Sequence, residues 1–171
     1  MKIILIIGGA VIALIVIVLL IGAFLPRNHV ASREIILRRS QEEIYAVIRD
    51  FPSAPAWRPD LQSVEMLSDV DGRVRFREQS KQGRITYEVV EDKSPRTLVT
   101  RIVDQDLGYS GTWTYALSPA DHGTQVRITE AGEVSNVLFR FLSRFVFGHT
   151  ATMDAYLRAL AGKFGEEAEP K

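Results

Sequence analysis

The run NVLFRFLSRFVFGHTATMDAYLRALAGKF, residues 136–164, decides the architecture. Wound at 3.6 residues per turn, Leu138, Leu142, Phe145, His149, Met153, Tyr156 and Leu160 fall on one stripe. Arg140, Arg144, Asp154 and Arg158 fall on the opposite side. As a single helix the run would reach about 44 Å at ~1.5 Å per residue, enough to cross a small domain. Its apolar stripe needs a cover, and the residues upstream supply one. Val64 to Glu130 reads as strands and turns, so the expected partner is a curved antiparallel sheet and the expected fold class is α+β.

The strands show in a period of two. Val74 and Phe76 alternate with Arg73, Arg75 and Arg77; Ile85, Tyr87 and Val89 alternate with Arg84, Thr86 and Glu88. Trp113, Tyr115 and Leu117 repeat the pattern with Thr112 and Thr114, and Val126 and Ile128 repeat it with Gln125, Arg127 and Thr129. Turn signals separate the strands at Asp71-Gly72, Gln82-Gly83, Ser94-Pro95, Asp106-Leu107-Gly108 and His122-Gly123. One face is apolar and the other polar, as in an antiparallel sheet covered on one side; the arginine-rich face reads as solvated surface. Before them, Ser32 to Arg38 reads as a first strand. Ser40-Gln41-Glu42-Glu43 is a capping box that opens a short helix with Ile44, Val47, Ile48 and Phe51 inward. Pro52 and Pro55 end that helix, and Ser53 to Trp57 makes one more turn.

At the other end, Ile3 to Leu25 carries no charged or strongly polar side chain. These residues reach about 35 Å against a hydrocarbon core of about 30 Å. The run is longer than the apolar region of a signal peptide, and Pro26-Arg27 follows it directly, so it reads as an uncleaved single-pass anchor. Lys2 precedes it, while Arg27, Arg33, Arg38 and Arg39 follow, which favours a cytoplasmic domain at a bacterial inner membrane. A short N-terminus with one lysine also suits a signal anchor that exports the domain. The expected organisation is an anchor over 1–26, a tether over 27–31, a domain over 32–165 and a charged, frayed tail over 166–171.

Lysine plus arginine and aspartate plus glutamate are both 21, so no net charge draws the chain to nucleic acid. There is no cysteine, which removes disulfides and thiolate chemistry. His29, His122 and His149 have no metal-ligand spacing, and no nucleophile elbow, phosphate loop or dinucleotide fingerprint is present. Neither a metal nor a cofactor is expected, and no residue is singled out as catalytic.

Ser40 to Phe51 with Trp57-Arg58-Pro59, Gly111-Thr112-Trp113-Thr114-Tyr115, and Gly123-Thr124-Gln125-Val126-Arg127 leading to Glu130-Ala131-Gly132 together carry a family resemblance. They resemble the START-like (SRPBCC) superfamily, the polyketide cyclase/dehydrase and lipid-transport group. The resemblance covers about Ala31 to Phe164. It implies a helix-grip fold, a sheet wrapped around the last helix with an apolar cavity between them. Given such a cavity, Trp57, Phe76, Tyr87, Trp113, Tyr115 and Phe145 at inward parity, with His149 and Met153 on the helix stripe, are the candidate ligand contacts. Glu78, Arg101 and Glu130 share that parity and are candidate polar groups within it, because cavities use a few such groups to orient ligands. The plainer alternatives are a filled core, polar groups that pair with one another, and a His149 satisfied by a Tyr or Glu of the sheet.

Phe147 falls on the polar side among Arg140, Arg144 and Asp154, bordered by Val137 and Phe139. Either it enters a bilayer interface with Arg140 and Arg144 at lipid phosphates, or the loop around Asp106-Leu107-Gly108 covers it. The expected function is a membrane-anchored module that binds a lipid or isoprenoid quinone. The alternatives are a cyclase or dehydratase acting on a polyketide-like substrate, and an interaction domain with no ligand.

Overall fold

In a computed structural model, which describes residues 2–148 and 150–171 without the side chains of 3–5 and 147, the period-two stretches form one seven-stranded sheet. Its strands are β1 (Asn28–Leu37), β2 (Leu61–Val70), β3 (Arg73–Ser80), β4 (Gly83–Lys93), β5 (Thr97–Ile102), β6 (Tyr109–Ala120) and β7 (Gly123–Val134). Their order is β1-β7-β6-β5-β4-β3-β2, and every neighbouring pair is antiparallel. Six strands thus form a meander and β1 closes onto the last of them. Each turn anticipated from a glycine or proline pair lies between consecutive strands.

Between β1 and β2 lie α2 (Gln41–Arg49) and a 3₁₀ turn (Phe51–Ala56). The capping box is present in full: Glu43 N–H donates to Ser40 Oγ at 3.2 Å, and Ser40 N–H donates to the Glu43 carboxylate at 2.9 Å. Ile44 and Ile48 go into the core, as their spacing requires. Phe51 from the 3₁₀ turn stacks on Phe76 with ring centroids 3.9 Å apart.

The run 136–164 does not form one helix. It gives α3 (Val137–Leu142), one π turn (Ser143–Phe147) and α4 (Ala151–Lys163). Gly148 separates them with φ 72° and ψ 167°, a backbone that L side chains avoid and that no helix continues through. The π turn also inserts extra residues into the winding, so the phase of the apolar stripe is not carried across. Met153, Tyr156, Leu157, Leu160 and Ala161 of α4 are buried over the concave face of the sheet. Leu138 and Phe145, expected on the same stripe, are 43% and 60% exposed.

The N-terminal run is α1 (Lys2–Phe24), of which Ile6–Phe24 is long and apolar enough to cross a membrane. It touches the rest of the fold at α3. A Cβ on Gly22 would lie 2.4 Å from the carbonyl oxygen of Val137, so the glycine permits the close approach. Arg140, expected on the polar side of the helix and at lipid phosphates, is buried. Its Nη1 donates to the carbonyls of Leu25 at 3.1 Å and Ala23 at 3.4 Å, and its Nη2 to Ser135 O at 3.4 Å. The Ala23 and Leu25 carbonyls lie at the C-terminal end of α1, where the helix offers no partner of its own.

Residues 28–31, expected as a tether, are paired with Glu133 to Glu130 of β7. The tail is not frayed either. Glu166 accepts from the Arg38 amide, Glu34 and Lys171 exchange backbone hydrogen bonds at 3.0 Å, and Ala168 packs on the core. The tail covers the free edge of β1, which would otherwise present open backbone groups.

Candidate functional site

A cavity of about 580 Å³ lies between the sheet and the α3–π segment. The sheet contributes Ile85 and Tyr87 of β4, Thr100 and Ile102 of β5, Tyr109 and Trp113 of β6, and Glu130 and Val134 of β7. The helical side contributes Phe139, Leu142, Ser143, Gly148 and Thr152. Phe139 is both in the wall and 42% exposed, so α3 forms part of the rim.

The wall holds a hydrogen-bonded polar cluster. Glu130 accepts from Trp113 Nε1 at 3.0 Å and pairs with His29 Nε2 at 3.2 Å. Trp113 and Glu130 are direct cross-strand partners, and His29 lies opposite Gly132, the next inward position on β7. A Cβ on Gly132 would sit 2.3 Å from His29 Cε1, so the imidazole occupies the space that a side chain at 132 would need. Among the described residues each Glu130 oxygen has one hydrogen-bond partner, and a carboxylate has acceptor capacity beyond that. Burial pushes the Tyr87 hydroxyl well above its ordinary value, so it stays protonated and can donate.

Of the residues singled out by sequence, Tyr87, Trp113 and Glu130 line this cavity. Trp57, Phe76, Tyr115 and Met153 pack with the core. Trp57, Trp113 and Tyr115 surround the ring of Tyr156 at centroid distances of 5.3, 5.9 and 5.5 Å. Trp113 therefore divides the packed half of the interior from the open half. Phe145 points away from the cavity, because the π turn rotates it outward, where it meets Phe141 at 5.0 Å. His149 lies outside the described residues, as does the side chain of Phe147.

Glu78 is partly buried in the core-facing layer and bonds Arg58 at 2.6 Å, and Arg58 also holds Asp60 at 2.7 Å and lies over the Tyr156 ring. Burial raises the Glu78 carboxyl above its ordinary value, with Arg58 opposing. Arg101 faces the other way. Leu98 and Thr100 of β5 are the buried positions, and Arg101 bonds Glu88 on the outer face at 2.8 Å. Apolar residues on both sides of β5 disguise its parity, and the inward polar residue is Thr100. Glu88 also binds Arg73 and Arg75, so guanidinium groups rather than apolar core hide it from water.

Among the cavity residues that the sequence reading overlooked, His29 is the one bonded to Glu130. Its signal was present: the inward parity of Leu37 and Ile35, extended back along one strand, passes through Arg33 and Ala31 to His29. Among the described residues no group of three His, Asp or Glu could hold a metal ion.

Solved structures with this fold include a START superfamily protein from Mycobacterium smegmatis, with a TM-score of 0.63 and 19% identity over 79% of this chain and 96% of that one. Norcoclaurine synthase from Thalictrum flavum matches with a TM-score of 0.65 and 12% identity over 82% of this chain and 88% of that one. The di-domain ARO/CYC StfQ from the steffimycin biosynthetic pathway matches with a TM-score of 0.60 and 13% identity over 81% of this chain; the match spans 50% of that protein's length. At such identities these likenesses establish the helix-grip fold alone. No curated protein sequence matches the chain. The model of the polyketide cyclase/dehydrase and lipid transport family matches residues 28–169, the three strands that carry the Glu130 cluster included, and the chain belongs to that family.

Proposed function

We propose that the protein is a membrane-anchored binding module for a hydrophobic small molecule, a lipid or an isoprenoid quinone, held between the sheet and the α3–π segment. The observation that carries this is the cavity of about 580 Å³, whose wall is largely apolar and holds an acceptor-rich cluster at Glu130. His29 and Trp113 already donate to the carboxylate, so its remaining capacity suits a ligand hydroxyl: a hydroxylated lipid or the reduced form of a quinone. The span α1 would keep the cavity beside the store of such molecules, with the domain on the cytoplasmic side.

Organic extraction and mass spectrometry of the purified full chain test the reading. A lipid or quinone near one per chain is expected, with much less in Thr100→Phe, which fills the cavity from the sheet. A chain that carries none and takes up none overturns it. One observation favours an enzyme instead: the Glu130–His29 pair is a carboxylate and imidazole inside an apolar cavity, a combination that suits general acid–base chemistry. Turnover of a polyketide-like substrate lost in Glu130→Gln would select that alternative.

A further inference from the structure

The segment from Val137 to Gly148 has two faces of different use. Phe139, Leu142 and Ser143 are turned to the cavity. Leu138, Phe145 and Val146 are 43%, 60% and 60% exposed. Among the described residues outside α1, eight large apolar side chains are exposed, and four of them lie between Leu138 and Val146. That density marks a surface with a partner rather than scattered exposure.

The position of the patch says which partner. The apolar run Ile3 to Leu25 exceeds a hydrocarbon core of about 30 Å by only about one turn, so its last turn lies at the lipid boundary. Val137 packs on that turn at Gly22, and Phe24 beside it is 89% exposed. Arg140 then ties α3 to the same turn through the carbonyls of Ala23 and Leu25. Unsatisfied carbonyls are costly near hydrocarbon, and a guanidinium is the group that satisfies them and complements the helix dipole. The patch is therefore held at boundary depth by the anchor itself, with exposed Arg144 at the headgroup level.

We propose that Leu138–Val146 is a bilayer-seated flap, clamped to the membrane helix by Arg140, through which the cavity exchanges its ligand with the bilayer and not with water. This rests on the reading of α1 as a membrane span and deepens the binding function by naming its route of loading.

The chain has no cysteine, so single variants take a fluorophore cleanly. Full-length Phe145→Cys and Val146→Cys, labelled with a polarity-sensitive dye, go into vesicles of phosphatidylcholine and phosphatidylglycerol; Ile36→Cys and Met66→Cys are the exposed controls. The flap labels should be quenched several-fold less by aqueous iodide than the controls, and strongly by lipids spin-labelled near the headgroup. Iodide quenching equal to the controls, with α1 shown to be inserted by protease protection, overturns the seat. Adding Arg140→Gln, or Gly22→Val as a second way to part α3 from α1, should raise iodide quenching at position 145 several-fold and leave position 36 unchanged. No change in either variant overturns the clamp. Ligand content measured on the same samples separates the two readings. Ligand present with the flap in water overturns the flap alone, and a seated flap on an empty chain overturns the binding function alone.

Discussion

The two halves of the run 136–164 are both rich in apolar residues and opposite in environment. In α4, Met153, Leu157, Leu160 and Ala161 have no exposed surface; in α3 and the π turn, Leu138, Phe145 and Val146 have a great deal. Gly148 stands between them. Below α4 the sheet presents Tyr115, Leu117, Val126 and Ile128, which interlock with the helix. Below α3 it presents a polar cluster and empty space, while α3 rests on α1 instead. Apolar periodicity thus says that a face avoids water; it does not say whether a sheet, a ligand or a bilayer covers it.

The largest expected difference lies in stability. Leu160→Ala should cost about 3 kcal/mol, since a fully buried leucine leaves a cavity among fixed neighbours. Phe145→Ala should stay within about 0.5 kcal/mol, as for exposed positions in general. Denaturant titration of the detergent-solubilised chain reads both, and equal costs would erase the distinction between the halves. Close behind comes the ion pair on the packed side. Arg58→Met leaves the partly buried Glu78 without its partner and should cost about 3 kcal/mol. Arg58→Met with Glu78→Leu should recover much of that loss, because two apolar residues need no partner.

The fold was largely legible, since β-alternation, turn pairs and the capping box are local and agree with one another. The break at Gly148 was not. Glycine in a helical pattern is often tolerated, and only the φ of 72° that Gly148 adopts, together with the π turn before it, interrupts the winding. Arg140 was misread because its partners at Ala23 and Leu25 are over a hundred residues away. At the site, Tyr87, Trp113 and Glu130 followed from strand parity. Parity alone could not tell cavity wall from core, so Phe76, Tyr115 and Met153 were grouped with them although neighbours fill the space around each.

On the open side, Gly132→Ala sharpens the comparison at lower cost. The new methyl would meet His29 Cε1 at 2.3 Å and force the imidazole off Glu130. A small overpacking cost of about 1 kcal/mol is expected, together with a disproportionate loss of bound lipid in the extraction assay. Loss of stability with ligand content unchanged would show that the cluster is structural only.

The smallest effect separates the inner and outer faces of the sheet through two glutamates. Hydrogen bonds from Arg75, then Arg73 and Arg101, hold the Glu88 carboxyl down to about 2 against some opposing burial, from an ordinary value near 4.5. Its folded value is depressed, so its contribution is fully present above about pH 4.5 and disappears as pH falls toward 2, where the unfolded chain has already taken up the proton. Glu78 is shifted upward by burial, so its sign is reversed: its contribution is present at low pH and lost as pH rises through its folded value. In a pH series of unfolding free energies, the gap between wild type and Glu88→Gln should be constant above about pH 5 and should narrow steadily below it. Because the arginines are partly exposed, the gap should also shrink in concentrated salt. A gap that stays flat down to pH 2 would mean that the three guanidinium groups do not hold the charge on Glu88, and that the outer face is as indifferent to pH as an ordinary solvated sheet.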